Sequence, residues 1–231
     1  MKYTIIHIND RAADNMTRTK DILKNHEYVS DIKFYNAKTD DLSDVLKSYN
    51  FTDKPNSNTR RTFLSGEYGI WASCISVWKY MVENNVKSLL VFEDDAILSI
   101  HADKILSTFC KELPADWDFL SLYYGPKQNE FDKHTNINRN HIHRSYNQIA
   151  SFVGMMYSLN GAKKILDILE SETINDAVDN YIYDKSREKK LNGYSIIPRR
   201  LTLLKHDWPL EFSTIDPEDT RVFKPWQQNQ K

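Results

Sequence analysis

Apolar residues recur along this chain in two rhythms. Tyr3 to Ile8 (YTIIHI) alternates and is rich in β-branched side chains, which predicts a strand. The stretch up to about Asn25 carries Met16, Ile22 and Leu23 and predicts a helix, and Ile32 to Ala37 predicts a second strand. Strand, helix, strand at this spacing marks the start of a βαβ unit and of a parallel sheet. Ser65-Gly66-Glu67 then has the form of a helix start, with a capping serine and an acid in the first turn. Trp71, Ile75, Trp78 and Val82 follow at spacings of four, three and four, which predicts one buried helical face. Ser88 to Phe92 (SLLVF) is a short unbroken apolar run, the pattern of a central parallel strand covered on both faces.

In the second half, Asp118 to Tyr124 predicts a strand halted by Gly125-Pro126, and Ala150 to Leu159 another. Helices are expected over Gly161 to Leu169 and Asp176 to Leu191, and a last short strand over Tyr194 to Pro198. Residues 53–61 are polar and read as a loop. Residues 126–148, almost wholly polar with three histidines and two arginines, read as a long surface loop or lid. From His206 onward, Pro209, Pro217 and Pro225 predict a tail (206–231) that wraps the surface or closes a site. The expectation is a single α/β domain over 1–231 with a mostly parallel central sheet.

Composition narrows the function. With 231 residues, 40% of them hydrophobic, the chain can bury one substantial core. Its 31 basic and 32 acidic side chains leave a net charge of −1, so contact with nucleic acid would need a local patch. Arg139 to Arg144 and Lys185 to Lys190, with Arg199, Arg200 and Lys205, are candidates for one, and fit two solvated faces as well. No apolar run approaches the roughly 20 residues needed to span a bilayer, and the N-terminus turns polar too soon for a signal peptide. The location expected is therefore the cytoplasm, of a bacterium or of a phage-infected host. Cys74 and Cys110, the two cysteines, sit in no metal-ligand spacing and read as buried free thiols.

The chemistry concentrates in Glu93-Asp94-Asp95, directly after the Ser88–Phe92 run. Adjacent carboxylates repel unless a cation or hydrogen-bond donors share them. In open α/β sheets the ligand crevice lies at the carboxyl ends of the strands. Acids there can hold Mn2+ or Mg2+ through oxygen while a diphosphate completes the shell. Taken alone the triplet fits an acidic turn equally well. No GxxxxGK[ST] loop is present, which sets aside the common phosphoryl-transfer motif.

Gly66-Glu67-Tyr68-Gly69, Ser73, Trp78 and Glu93-Asp94-Asp95, in this order and spacing, resemble glycosyltransferase family 25, which includes bacterial lipooligosaccharide galactosyltransferases. Gly154 to Lys164 (GMMYSLNGAKK) resembles the family's Gly-x-x-x-Tyr strand and Gly-Ala-Lys-Lys helix start. Ala177-Val178-Asp179 resembles its Pro-Val-Asp, and Ser213-Thr214-Ile215 a late Ser-x-Ile element. The resemblance runs from about Ile5 to Ile215. It implies a GT-A-like, Rossmann-type sandwich with an acidic metal motif, a nucleotide-sugar donor, commonly a UDP-sugar, and transfer of a hexosyl or pentosyl group. The family's Ser-His is here Ser73-Cys74, and Ile70 replaces a preceding cysteine. That departure leaves open a second reading, a nucleotide-sugar-binding scaffold of the same fold without turnover.

On this basis Asp95 is the first expected metal ligand, with Glu93 or Asp94 on ribose or a bridging water. His206 is a second expected ligand, or a histidine packed beside Trp208. Asp179 is the expected general base for the acceptor hydroxyl in an inverting displacement, or a helix cap for Asn180 onward. Glu67 is expected as a donor-site acid, with Gly66 beside it. Arg11 is expected to reach the diphosphate or the base, or to be an ordinary surface arginine. Trp71 and Trp78 read as core, whereas Trp208 and Trp226 fall outside the periodic segments, where a ring could stack on a sugar or base. Two acceptors are expected: a lipopolysaccharide or lipooligosaccharide saccharide, or hydroxymethylated cytosine in phage DNA, to which the Asn- and Lys-rich composition points.

Overall fold

The structure, a computed structural model, describes residues 3–8, 29–35, 47–52, 63, 65–93, 96–99, 101–123, 142–144, 152–196 and 204–206, together with Thr17 and Asp21. In chain order the elements are β1 (Tyr3–Ile8), β2 (Val29–Tyr35), α1 (Ser65–Glu83), β3 (Ser88–Glu93), β4 (Ala96–Leu98), α2 (Ala102–Glu112) and β5 (Phe119–Ser121). Then follow β6 (Ile142–Arg144), β7 (Gly154–Ser158), α3 (Leu159–Ser171), α4 (Val178–Arg187), β8 (Gly193–Ile196) and β9 (Leu204–His206). Of the helix expected up to Asn25, only Thr17 and Asp21 are described, and both are helical. The expected loop at 53–61 and most of 126–148 lie outside the described residues.

Seven strands form one sheet in the order β2-β1-β3-β7-β5-β8-β6. β1 pairs in parallel with β2 and β3, as the strand-helix-strand spacing predicts, and β5 with β8. β7 is antiparallel to both β3 and β5, and β6 is antiparallel to β8. The sheet is therefore mixed, which corrects the expectation of a mostly parallel one. The misreading has a physical cause. β7 is buried along its whole length, and a strand covered on both faces has the same apolar run in either direction. β6, an edge strand, falls inside the stretch read as a loop.

Period-two alternation divides the interior in two. Leu89 and Val91 of β3 and Met155 and Tyr157 of β7 join Trp71, Trp78, Ile165 and Ile182 of α1, α3 and α4 on one face. Leu90, Phe92 and Met156 join Leu106 and Phe109 of α2 on the other. Each large side chain fully buried in this way contributes roughly 1.5–3 kcal/mol. The buried face of α1 is wider than its spacing implied: Cys74, Val77 and Met81 are buried, and Val82 only partly. Both cysteines are free, Cys74 buried and Cys110 partly so. No described helix is long and apolar enough to cross a membrane.

α1 closes with Asn85 in the left-handed region (φ 53°) while Val86 N–H donates to the Met81 carbonyl at 2.9 Å. α4 closes likewise, with Lys189 at φ 61° and Lys190 N–H on the Lys185 carbonyl at 2.9 Å. Each turn returns the chain into a strand antiparallel to its helix. The N-termini of α1 and α4 therefore both lie toward the edge of the sheet where β3 and β8 end.

At the opposite edge, Asp118 has a fully buried carboxylate. It meets Lys164 Nζ at 2.8 Å and accepts from Asn192 N–H at 2.7 Å and the Asn160 amide at 3.4 Å. Its backbone carbonyl accepts from Ser158 N–H at 3.0 Å. Ser158 caps α3, accepting from Gly161 N–H at 2.9 Å and donating to the Trp117 carbonyl at 2.9 Å. The backbones come so close that a Cβ on Gly161 would stand 2.1 Å from the Asp118 carbonyl oxygen. Gly161→Ala is expected to cost about 3 kcal/mol through forced backbone displacement, and Ser158→Ala about 1 kcal/mol through the lost cap. Urea midpoints of the two variants measure this, and the reverse order would overturn the close-approach account.

Candidate functional site

β3 delivers the acidic triplet to the edge of the sheet where parallel strands end. Glu93 is partly buried, aligned with Ile8 at the end of β1, and its N–H donates to the Val153 carbonyl at 3.1 Å. Asp94 and Asp95 lie outside the described residues, as does Arg11. Immediately after them β4 forms an antiparallel ribbon with β9, in the register Ala96↔His206, Ile97↔Lys205 and Leu98↔Leu204. The backbone of His206 is thus paired to the residue that directly follows Asp95. Sequence reasoning gave both as ligands but not the ribbon that brings their chain segments together.

The two helix N-termini bring further acids to the same edge. Gly66 is the second residue of α1. Glu67, one residue on, is buried at 9% exposure. Asp179 is in the first turn of α4 and partly buried, and its carboxylate accepts from Asn180 N–H at 2.9 Å. The charges of Glu67 and Asp176 both act on Asp179. Glu67 and the Asp176–Asp179 pair, from two distant segments of the chain, therefore share one electrostatic environment, although among the described residues no group of His, Cys, Asp and Glu forms a metal cage. The positive ends of two helix dipoles point to the edge they occupy, which favours an anionic ligand.

Burial dominates the behaviour of Asp179. It pushes the carboxyl up from its ordinary 3.8 to about 6, with the like charges of Asp176 and Glu67 adding to the rise and the Asn180 N–H opposing it. The groups behind it solvate poorly. Cys74, Tyr157 and Tyr183 all feel the Asp179 charge, and burial raises all three. Cys74 also feels Glu93, so the thiol lies within electrostatic reach of both β3 and the α4 carboxylate. Asp179 does not cap α4. The cap position is Ala177, and the Asp176 carboxylate accepts its N–H at 2.8 Å and the Asn180 side-chain amide at 3.2 Å. Asp176 was missed in the sequence. Its signal, an acid three residues before the Asp of the motif, is commonplace at helix starts.

Trp71 and Trp78 are core residues, as expected, with Trp71 also donating its indole N–H to the Asp176 carbonyl at 3.0 Å. Three of the four cations in the basic run at the far end of α4 are paired locally. Lys185 and Lys190 pair with Glu172 and Glu188, and Arg187 with Asp184. At about 1.5 Å per residue, this run lies roughly a helix length, on the order of 10 Å or more, from Asp179. Arg144 bonds Asn192 at 2.8 Å and stacks on Tyr194. Arg139, Arg199, Arg200, Trp208 and Trp226, and the 206–231 tail apart from His206, lie outside the described residues.

A family model described as Glycosyltransferase family 25 (LPS biosynthesis protein) matches residues 14–182. Procollagen galactosyltransferase 1-A of Xenopus laevis is 32% identical over 113 residues, 46% of this chain and 18% of that protein, so the chain matches under a fifth of this relative's length. Among solved structures, A197 from STIV gives a TM-score of 0.42 at 10% identity, covering 84% of this chain and 81% of that one. A glycosyltransferase involved in glycosylating the major capsid of PBCV-1 gives 0.38 at 8% identity, covering 81% and 68%. Mouse xyloside xylosyltransferase 1 gives 0.37 at 10% identity, covering 84% and 78%. All three scores fall below 0.5.

The raised Asp179 carboxyl has a consequence for stability. Ionising it in the fold is harder than in the unfolded chain. The stability it confers is full below pH about 4 and is lost as pH rises through about 6. Asp179→Asn is therefore expected to be more stable than the parent at pH 7, by about 1–3 kcal/mol, and equal to it near pH 4. Denaturant titrations at the two pH values check this. Equal stability at both would show that Asp179 ionises without penalty.

Proposed function

The chain belongs to glycosyltransferase family 25, and from that premise we propose that it transfers a sugar from a UDP-linked donor to a saccharide hydroxyl, with Mn2+ or Mg2+ bound beside the donor diphosphate. The observation that carries the metal assignment is the β4–β9 register, which pairs His206 with the residue after Asp95. Carboxylate oxygens and an imidazole suit such a cation. Asp95 and His206 would hold it, with Glu93 and Asp94 on ribose or a bridging water. When bound, the metal supplies positive charge to the departing nucleoside diphosphate.

The chain's own residues then have distinct tasks. Arg11 meets the diphosphate or base, and Gly66 and Glu67 line the donor side at the start of α1. Asp179, ionised above pH about 6, accepts the proton of the acceptor hydroxyl. As that oxygen bonds to the anomeric carbon, the bond from that carbon to the diphosphate breaks and its electron pair leaves with the nucleotide. This is an inverting displacement. Galactose is the first sugar to test, because the matched relative is named a galactosyltransferase. A saccharide acceptor is favoured over hydroxymethylated DNA because three of the four cations in the basic run at 185–190 are ion-paired and the run lies at the far end of α4 from Asp179.

The test follows nucleoside-diphosphate release from UDP- and GDP-sugars with Mn2+ or Mg2+, with either lipooligosaccharide core or hydroxymethylated DNA added. Release that needs metal and rises with the saccharide is expected. Release raised by DNA alone would reassign the acceptor, and none under any condition would return the chain to a binding scaffold. Asp95→Ala is expected to abolish transfer in a folded protein, and near-normal transfer would sink the metal assignment. Transfer by the parent is expected to climb with pH through about 6, and Asp179→Asn to lower it about 10²–10⁴-fold at every pH.

A further inference from the structure

Asp176 is held more firmly than a helix cap requires. Trp71, buried in the core, grips its carbonyl, while its carboxylate binds the Ala177 N–H and the Asn180 side chain. The preceding residues are stitched to another part of the chain: Thr52 N–H donates to the Ile174 carbonyl at 3.0 Å, and Ile174 N–H to the Asn50 carbonyl at 2.8 Å. Serine, threonine or asparagine would cap the turn without charge. Instead a carboxylate is buried here, at 4% exposure, next to two others. Burying a charge beside like charges is costly, and is not needed to start a helix.

We propose that Asp176 is a positioning residue for Asp179: it fastens the turn that carries Asp179 and sets a second negative charge beside it. The proposal rests on the reading of Asp179 as the base and adds the group that keeps that base able to take a proton. The groups acting on or feeling Asp179 are Glu67 and Cys74 from α1, Asp176 from the turn, Tyr157 from β7 and Tyr183 from α4 itself. Glu93 of β3 acts on Cys74, and Asp184 of α4 acts on Asp176. Among these described groups none is a cation. Losing one negative charge leaves Asp179 easier to ionise, and no positive group in the set reverses that sign.

Asp176→Asn isolates the charge, because the amide oxygen can still accept from Ala177 N–H and Asn180. Asp176→Ala removes the charge and both hydrogen bonds together. In the full chain, 13C NMR titration of the aspartate carboxyl carbons follows Asp179, assigned by its absence in Asp179→Asn. Asp176→Asn is expected to move the Asp179 midpoint to lower pH and to move the acid limb of the kcat profile with it, with melting at or above that of the parent. Asp176→Ala is expected to lower the melting temperature as well. An Asp179 midpoint unchanged in Asp176→Asn would overturn the proposal and leave Asp176 as a fastening of the turn only. Full transfer by Asp179→Asn would instead overturn the base reading, while the NMR midpoint still decides the role of Asp176.

Discussion

The buried carboxylate of Asp118 sets the frame on which the rest is hung. A charge taken out of water is tolerated when a counter-charge and hydrogen bonds replace its hydration. Asp118 has both, from Lys164, Asn192 and Asn160. Those partners belong to α3 and to the approach to β8, and its backbone receives Ser158 from β7. One residue, through its side chain and its backbone, therefore fixes where three strands and a helix begin or end. It also explains the glycine at 161, since that junction leaves no space for a Cβ.

The two edges of the sheet handle charge in contrasting ways. At the Asp118 edge the ion pairs are made, including those of Lys185 and Lys190 near the end of α4. At the other edge the charge of Glu67 makes Asp176 and Asp179 harder to ionise, and that of Asp176 adds to the effect on Asp179, whose charge buried Cys74, Tyr157 and Tyr183 feel in turn. Buried like charges of this kind are destabilising in isolation and are characteristic of sites that bind or move protons. The helix N-termini at the same edge offset part of that cost. Replacing the family histidine by Cys74 fits this setting. A thiol raised by burial stays neutral beside Glu93 and Asp179 and adds no further charge.

What the sequence revealed follows from which features are local. β1, α1 and β3 are written in their own periodicities, and the Trp71–Trp78 face is visible from spacing alone. Glu67 and Asp179 were legible because both sit at helix starts inside motif matches. The direction of β7 was not, since Met155, Met156 and Tyr157 are buried whichever way the strand runs. α2 carries a readable stripe in Ala102, Ile105, Leu106 and Phe109, yet no element was expected there. β6 is three residues long and carries too little pattern to stand out from a polar stretch. The pairing of His206 with Ala96 and the grip of Trp71 on Asp176 are tertiary facts between distant segments, with no periodic trace in either partner.

The β4–β9 ribbon has a consequence in time. All seven strands of the main sheet lie at or before Ile196, whereas β9 begins at Leu204. A chain made from its N-terminus can therefore pair its whole main sheet before the last strand of the ribbon exists. The ribbon joins only three residue pairs, so few contacts hold it. Order of synthesis thus lets the main sheet pair first and leaves the pairing beside the acidic motif to a segment made later.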